Sequence, residues 1–278
     1  GKEVRLCCHP DGSRIVETLL RSATNFQLRV FWDRLAGAAF KLATNRYASH
    51  CLEVLIEVAQ ASESDNHDVD DEQQELPRLE VLRDRFLAEL SESLPGCISH
   101  PQGSHVLRRL MAAAKGSAEH AAVIARLAEA LAHGESDWPY ETSSSAFLQA
   151  VMNGELAEAL LANQPGLFAR SGLTHKTGSH LVECLVGHLP APKLNELYRR
   201  HLKSHLAALI EHSVSMHVVK AVIKHAPSLP QFKLMLDDLS PLAASSLRSR
   251  LSILNAAVVW LNEHQPQRDV QTMQTVFK

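Results

Sequence analysis

Aromatic residues are scarce in this 278-residue chain, at 5%, while apolar residues make up 45%. With Ala, Leu and Val carrying most of that apolar content, the composition favours packed helices. The five cysteines (Cys7, Cys8, Cys51, Cys97, Cys184) form no Cys-x-x-Cys pair, and their odd number argues against a disulfide framework and for reduced thiols in an intracellular protein. No apolar run approaches membrane-spanning length, and the N-terminus carries no apolar segment of the signal-peptide kind, so no membrane contact is expected. There is no phosphate-cradling Gly-rich loop, no His-Glu-x-x-His, no Gly-x-Ser-x-Gly and no cysteine with an evident base partner. The sequence therefore reads as that of a non-enzyme without a cofactor. His201 and His205 lie four apart on a predicted helix, but no third ligand stands at fixed spacing, so no metal site is expected.

The formal charge of −3 is unevenly distributed. Seven acids and no Lys or Arg fall between Glu63 and Glu75, and the remainder of the chain carries a net +4. Sixteen histidines add further positive charge below neutral pH.

What the chain has in abundance is one figure, repeated: a small residue, a variable one, two apolar residues, two variable ones and two more apolar residues. It starts at Ser13, Ser49, Ser104, Ser145, Ser179 and Met216, giving spacings of 36, 55, 41, 34 and 37. A near-constant period of this size marks a stacked helical array. Numbering the first position of each figure as zero, offsets 2, 3, 6 and 7 are apolar at helical spacing, so each figure lies on one amphipathic helix. Helix-like segments upstream, Leu28 to Leu42, Leu79 to Leu94, Ala118 to Leu131 and Leu194 to Ile210, make the expected unit a helical hairpin, with Gly and Pro breakers between units. The boundaries that follow are a partial first repeat at 1–24, a repeat at 25–59, an acidic disordered insert at 60–76, and repeats at 77–116, 117–154, 155–189 and 190–226. A degenerate repeat or cap at 227–264 and a tail at 265–278 complete the chain. The insert accounts for the 55-residue spacing. The short lead before the first figure suggests a chain cut from a longer array.

If offsets 2, 3, 6 and 7 are buried, offsets 0, 1 and 4 share an open face. Offset 0 is Ser13, Ser49, Ser104, Ser145, Ser179 and Met216. Offset 1 is Arg14, His50, His105, Ala146, His180 and His217, and offset 4 is Glu17, Glu53, Arg108, Gln149, Glu183 and Lys220. A planar side chain beside a small hydroxyl and a long hydrogen-bonding group, once per repeat, suits a row of unstacked nucleobases. Taken singly, each serine fits a helix N-cap and each glutamate a solvated helix position. Five serines and four histidines in register point instead to a readout face, with Arg108 and Lys220 also placed to meet phosphate.

The stretches Asn45-Arg46-Tyr47-Ala48-Ser49-His50-Cys51-Leu52-Glu53, His100-Pro101-Gln102-Gly103-Ser104-His105-Val106-Leu107-Arg108 and His175-Lys176-Thr177-Gly178-Ser179-His180-Leu181-Val182-Glu183 resemble Pumilio (PUF) repeats. Gly-Ser-His, the Asn-Arg-Tyr-Ala-Ser-His form and the acidic insert are most similar to the nucleolar Pumilio-like branch, which acts in small-ribosomal-subunit biogenesis. The resemblance covers Asp11 to about Ile223. It implies an all-α, right-handed, crescent-shaped solenoid of two- or three-helix repeats whose inner face binds single-stranded or partly structured RNA, antiparallel to the protein. It also implies precursor or small-subunit ribosomal RNA as partner, pre-ribosomal proteins beside it, and a nuclear, nucleolar location. The family's base code, carried over residue by residue, assigns guanine to Ser13/Glu17, Ser49/Glu53 and Ser179/Glu183, adenine to Ser145/Gln149 and cytosine to Ser104/Arg108. Met216/Lys220 has no counterpart in the code. From the C-terminal repeat backwards the string is unassigned-G-A-C-G-G. Ala146, which offers no stacking plane, departs from the pattern. The competing readings are a HEAT- or armadillo-like protein-binding scaffold and a cytoplasmic mRNA-binding Pumilio protein.

Overall fold

A computed structural model describes residues 1–64, 76–133, 137–239 and 247–264, and every regular element among them is a helix. The chain forms two compact units, one of Gly1–Leu127 with Glu141–Val151, the other of Ala128–Tyr140 with Met152–Lys278.

In the first unit the helices are α1 (Lys2–Cys7), α2 (Pro10–Arg21), α3 (Asn25–Asp33), α4 (Ala39–Ala43), α5 (Ala48–Ser64), α6 (Leu79–Ser91), α7 (Leu94–Ser99) and α8 (Pro101–Ala113), then most of α9 (Ala118–Ala132), and α10 (Thr142–Val151). The figures sit on α2, α5, α8 and α10, and these pack in succession, α2 on α5, α5 on α8 and α8 on α10. Their apolar slots form the core: Val106, Leu107, Leu110 and Met111 of α8 are all fully buried. Ile15 and Leu19 occupy the equivalent slots of α2 but are about 60% exposed, because none of the described helices covers that side.

The second unit continues with α11 (Gly154–Asn163), α12 (Pro165–Phe168), α13 (Arg170–Thr174), α14 (Lys176–Val186), α15 (Ala191–Leu197), a π-helical turn at Tyr198–Leu202 and a 3₁₀ turn at Lys203–His205. The last of its described helices are α16 (Leu206–Glu211), α17 (Met216–Lys224), α18 (Leu229–Leu239) and α19 (Leu247–His264). Here α14 packs on α17 and α17 on α19. Helix α19 keeps the same register. Ala256, Ala257, Trp260 and Leu261 are buried at offsets 2, 3, 6 and 7 from Leu254, 38 residues after Met216. Asn255, which breaks the apolar run in the sequence, thus falls at exposed offset 1.

The hairpin expectation is corrected to three helices in several units, since the upstream segments are broken. Leu28–Leu42 splits into α3 and α4 around Gly37, whose φ of 78° favours glycine. The Glu89 carboxylate then accepts from the Gly37 and Ala39 N–H groups at 2.9 and 2.8 Å, satisfying the start of α4. Pro95 restarts the chain as α7. Leu194–Ile210 passes through the π and 3₁₀ turns, where the Tyr198 hydroxyl and Lys203 ammonium both donate to Asp238 of α18. The insert also begins later than expected, because α5 runs on to Ser64. Residues 65–75 and the tail 265–278 lie outside the described residues. At the end of the expected insert, the Leu76 and Pro77 carbonyls accept from buried Arg29 of α3. Among the described residues no helix is long and apolar enough to cross a membrane.

Candidate nucleic-acid interface

Four of the figure helices are capped by a residue four positions before their small residue. His9 Nδ1 accepts from the Asp11 and Gly12 N–H groups at 3.2 and 3.3 Å, His100 Nδ1 from Gly103 at 3.4 Å and His175 Nδ1 from Gly178 at 3.2 Å. Asn45 Oδ1 does the same for Tyr47 and Ala48, and Glu141 accepts from the Ser144 hydroxyl at 2.6 Å. The His9, Asn45, His100 and His175 caps satisfy backbone donors left open at their helix starts, whereas Glu141 holds a side-chain hydroxyl. One residue before the figure the chain passes close to its predecessor: a Cβ on Gly103 would stand 2.7 Å from the Cys97 carbonyl oxygen. The sequence carries a signal for these caps: His9, Asn45, His100 and His175 all stand four residues before a figure. Replacing His100 by Ala should lower stability by about 1 kcal/mol, and His100→Asn should restore most of it. Urea unfolding midpoints of the two variants check this.

The offset-0 residues are corrected. Ser13, Ser49, Ser104, Ser145 and Ser179 are buried, at 3% exposure or less, and Met216 is buried with them. They are not caps either. Sitting inside the first turn, Ser13, Ser49 and Ser179 donate to the carbonyls of Pro10, Arg46 and Lys176. Ser104 donates to the Ser143 carbonyl of the neighbouring α10 at 2.8 Å, and Ser145 accepts from Gln149 at 3.2 Å. The physical reason is that this position faces the adjoining helix rather than solvent; at Ser13, Ser49, Ser104 and Ser179 the hydroxyl turns to a backbone carbonyl, and at the sixth position the apolar Met216 fills the place.

Offsets 1 and 4 do reach solvent. Arg14, His50, His180 and His217 are exposed, and His105 and Ala146 are half-buried. Glu17, Glu53, Arg108, Gln149, Glu183 and Lys220 are all half-buried, with long side chains leaning over the helix surface. In the first unit the His105 ring joins two neighbouring helices, with Nε2 3.2 Å from Glu53 Oε2 and Nδ1 3.1 Å from Arg108 Nη2. In the second, His180 Nδ1 lies 3.6 Å from Glu183 Oε2 on its own helix. The His180 and His217 rings, on the packed helices α14 and α17, have centroids 6.5 Å apart at 47°. An intercalated base needs roughly 7 Å, twice a carbon contact of about 3.5 Å. The centroid separation is thus within an ångström of that spacing, and the two rings, tilted by 47°, would turn parallel to hold a base between them.

Other titratable groups are structural. Burial pushes the Cys97 thiol up to about 12, far from a reactive thiolate. His201 packs on Phe168 at 5.5 Å between ring centroids, and burial, aided by Arg200, holds its pKa below the usual imidazole value. No group of three or more metal-ligating side chains forms among the described residues.

The chain is similar to known proteins in sequence and in fold. Nucleolar protein 9 of Candida albicans (strain WO-1) is 24% identical over 272 residues, covering 84% of this chain and 38% of that protein. Its counterpart in Penicillium rubens is 33% identical over 119 residues, 40% of this chain and 16% of its own length. The chain thus spans well under half of these relatives. Among solved structures, APUM23 with its insert region deleted and with GGAAUUGACGG superposes with a TM-score of 0.76 at 19% identity, over 95% of this chain and 55% of that one. The RNA-binding domain of yeast Puf5p bound to MFA2 RNA gives 0.62 at 15% identity, over 94% of this chain and 75% of that one. These likenesses establish the all-α repeat fold. The family described as NOP9-like PUF repeat domain matches residues 1–125 and 129–277, nearly the whole chain, and the chain belongs to that family.

Proposed function

We propose that this chain binds single-stranded RNA across its figure-bearing helices, with offset-1 side chains stacking on bases and offset-4 side chains reading base edges. The RNA class is precursor or small-subunit ribosomal RNA, bound in the nucleolus during ribosome biogenesis, as the name of the nucleolar protein 9 relatives suggests. Pre-ribosomal proteins are further candidate partners.

One observation carries the reading. Taken from the C-terminal repeat backwards, the string assigned to Lys220, Glu183, Gln149, Arg108, Glu53 and Glu17 is unassigned-G-A-C-G-G. The sequence present with APUM23 ends in UGACGG. The edge chemistry supports each letter. A glutamate carboxylate accepts from guanine N1–H and N2–H, an arginine donates to cytosine O2 and N3, and a glutamine amide offers adenine both a donor and an acceptor. With the serines buried, specificity in this scheme rests on offset 4. Family membership favours this over a HEAT- or armadillo-like scaffold.

The test is fluorescence anisotropy with labelled 5′-UGACGG-3′ against its reverse sequence. The hexamer should bind more tightly, and its affinity should fall steeply between low and physiological salt as counterions are released from neutralised phosphates. Equal affinity for both sequences at all salt concentrations would sink the reading.

A further inference from the structure

The contacts of His105 link two readout positions that the base code treats as independent. Glu53 belongs to α5 and Arg108 to α8, yet both touch the same imidazole, at 3.2 and 3.1 Å. A guanidinium has five N–H donors and no acceptor, so His105 Nδ1 must accept from Arg108. The neutral ring then carries its proton on Nε2, aimed at the Glu53 carboxylate. The result is a directed relay, Arg108 donating to His105 and His105 donating to Glu53. Arg108 also has a second donor without use, since its Nε is buried with no hydrogen-bond partner. A buried donor left open is costly, and an acceptor brought by a ligand relieves that cost. Glu183 differs, because the histidine it meets, His180, stands three residues away on the same helix, and the ring that His180 faces on the next helix, His217, stands at offset 1 rather than at a base-reading offset 4.

We propose that Glu53, His105 and Arg108 form one coupled element that reads the cytosine–guanine step of the RNA as a unit, with His105 as the positioning residue between the two bases. The inference rests on the binding reading above. Arg108 reaches a cytosine edge by turning from His105, and Glu53 receives guanine N1–H and N2–H by releasing the same ring. Opening the relay is a single cost, incurred whether one base engages or both. An RNA that offers neither base leaves the relay closed. Swapping both bases should therefore reduce affinity by less than the product of the two single swaps. Independent readout of the two bases gives the full product.

The experiment is a base-swap square measured by anisotropy: 5′-UGACGG-3′, 5′-UGAUGG-3′, 5′-UGACAG-3′ and 5′-UGAUAG-3′. With the unaltered chain, the double swap should fall short of the product of the single effects by about tenfold, the size of coupling seen between groups in direct contact. His105→Phe keeps a stacking plane and removes both ring nitrogens, so with it the two effects should multiply. A multiplicative square with the unaltered chain overturns the relay while leaving RNA binding intact. Coupling that survives in His105→Phe also overturns it, because stacking rather than hydrogen bonding then carries the effect. Failure of the parent hexamer to bind more tightly than its reverse sequence overturns the binding reading, and the relay's role with it. The square needs no variant, so a folding defect in His105→Phe leaves its first arm standing.

Discussion

Replacing His50, His105 and His180 together by alanine should weaken binding to 5′-UGACGG-3′ by at least about 3 kcal/mol, a hundredfold or more, because each stacked base is worth roughly 1–3 kcal/mol. His50 and His180 are exposed and His105 is half-buried, so little of the core depends on them. Unfolding should therefore shift by no more than about 0.5 kcal/mol. Loss of the two His–Glu contacts adds to this only weakly, since both lie at the surface with their side chains partly open to solvent. The salt dependence should keep most of its slope, because the Lys and Arg side chains offered to phosphate, Arg108 and Lys220 among them, are left in place. A chain that holds RNA only by its phosphates would show the opposite pattern, with affinity intact after the triple change and a slope that follows Lys and Arg instead. Anisotropy titrations at three salt concentrations separate the two.

The apolar slots that make this interface possible were legible from residue pattern alone. Offsets 2, 3, 6 and 7 are dense with Val, Leu and Ile, and burial of Val106, Leu107, Leu110 and Met111 follows from the helical period without knowledge of neighbours. The serines were misread because their exposure depends on how closely the next helix approaches. Ser104 illustrates this, since its hydroxyl donates to Ser143, 39 residues away. Offset counting places a side chain on a helix face and says nothing of what lies against it. The break at Gly37 was equally hidden. It is one glycine in an apolar stretch, and its effect is fixed by Glu89 reaching in from α6. The relay through His105 was out of reach for the same reason, as it joins side chains 52 residues apart.

The Asn255 register shows the converse, a helix whose sequence pattern seemed broken and whose packing is regular, and Trp260 is the residue that holds it. Trp260→Ala should destabilise the second unit by about 3–5 kcal/mol from the lost ring alone. The indole is 2% exposed and stacks on Phe232 of α18 at 4.1 Å and 13°. It also donates to the Ala226 carbonyl just beyond α17, at 2.7 Å. Truncation leaves that buried carbonyl unpaired, which adds a further cost of about 1–3 kcal/mol. Because repeats contact chiefly their neighbours, the damage should remain local. Hydrogen exchange should show α18 and α19 losing protection while α14, two helices away along the packing order, keeps most of its own. Trp260→Phe retains the stacking ring and loses only the N–H donor, so it should fall between the two. In the proposed binding scheme, His217 and Lys220 on α17 then lose the helix beside them, and affinity for the 5′ end of the hexamer should fall before affinity for its 3′ end. Uniform loss of protection across α14, α17 and α19 would mean that the second unit unfolds as one body, and that α19 is part of a single cooperative core rather than one rung of a stack.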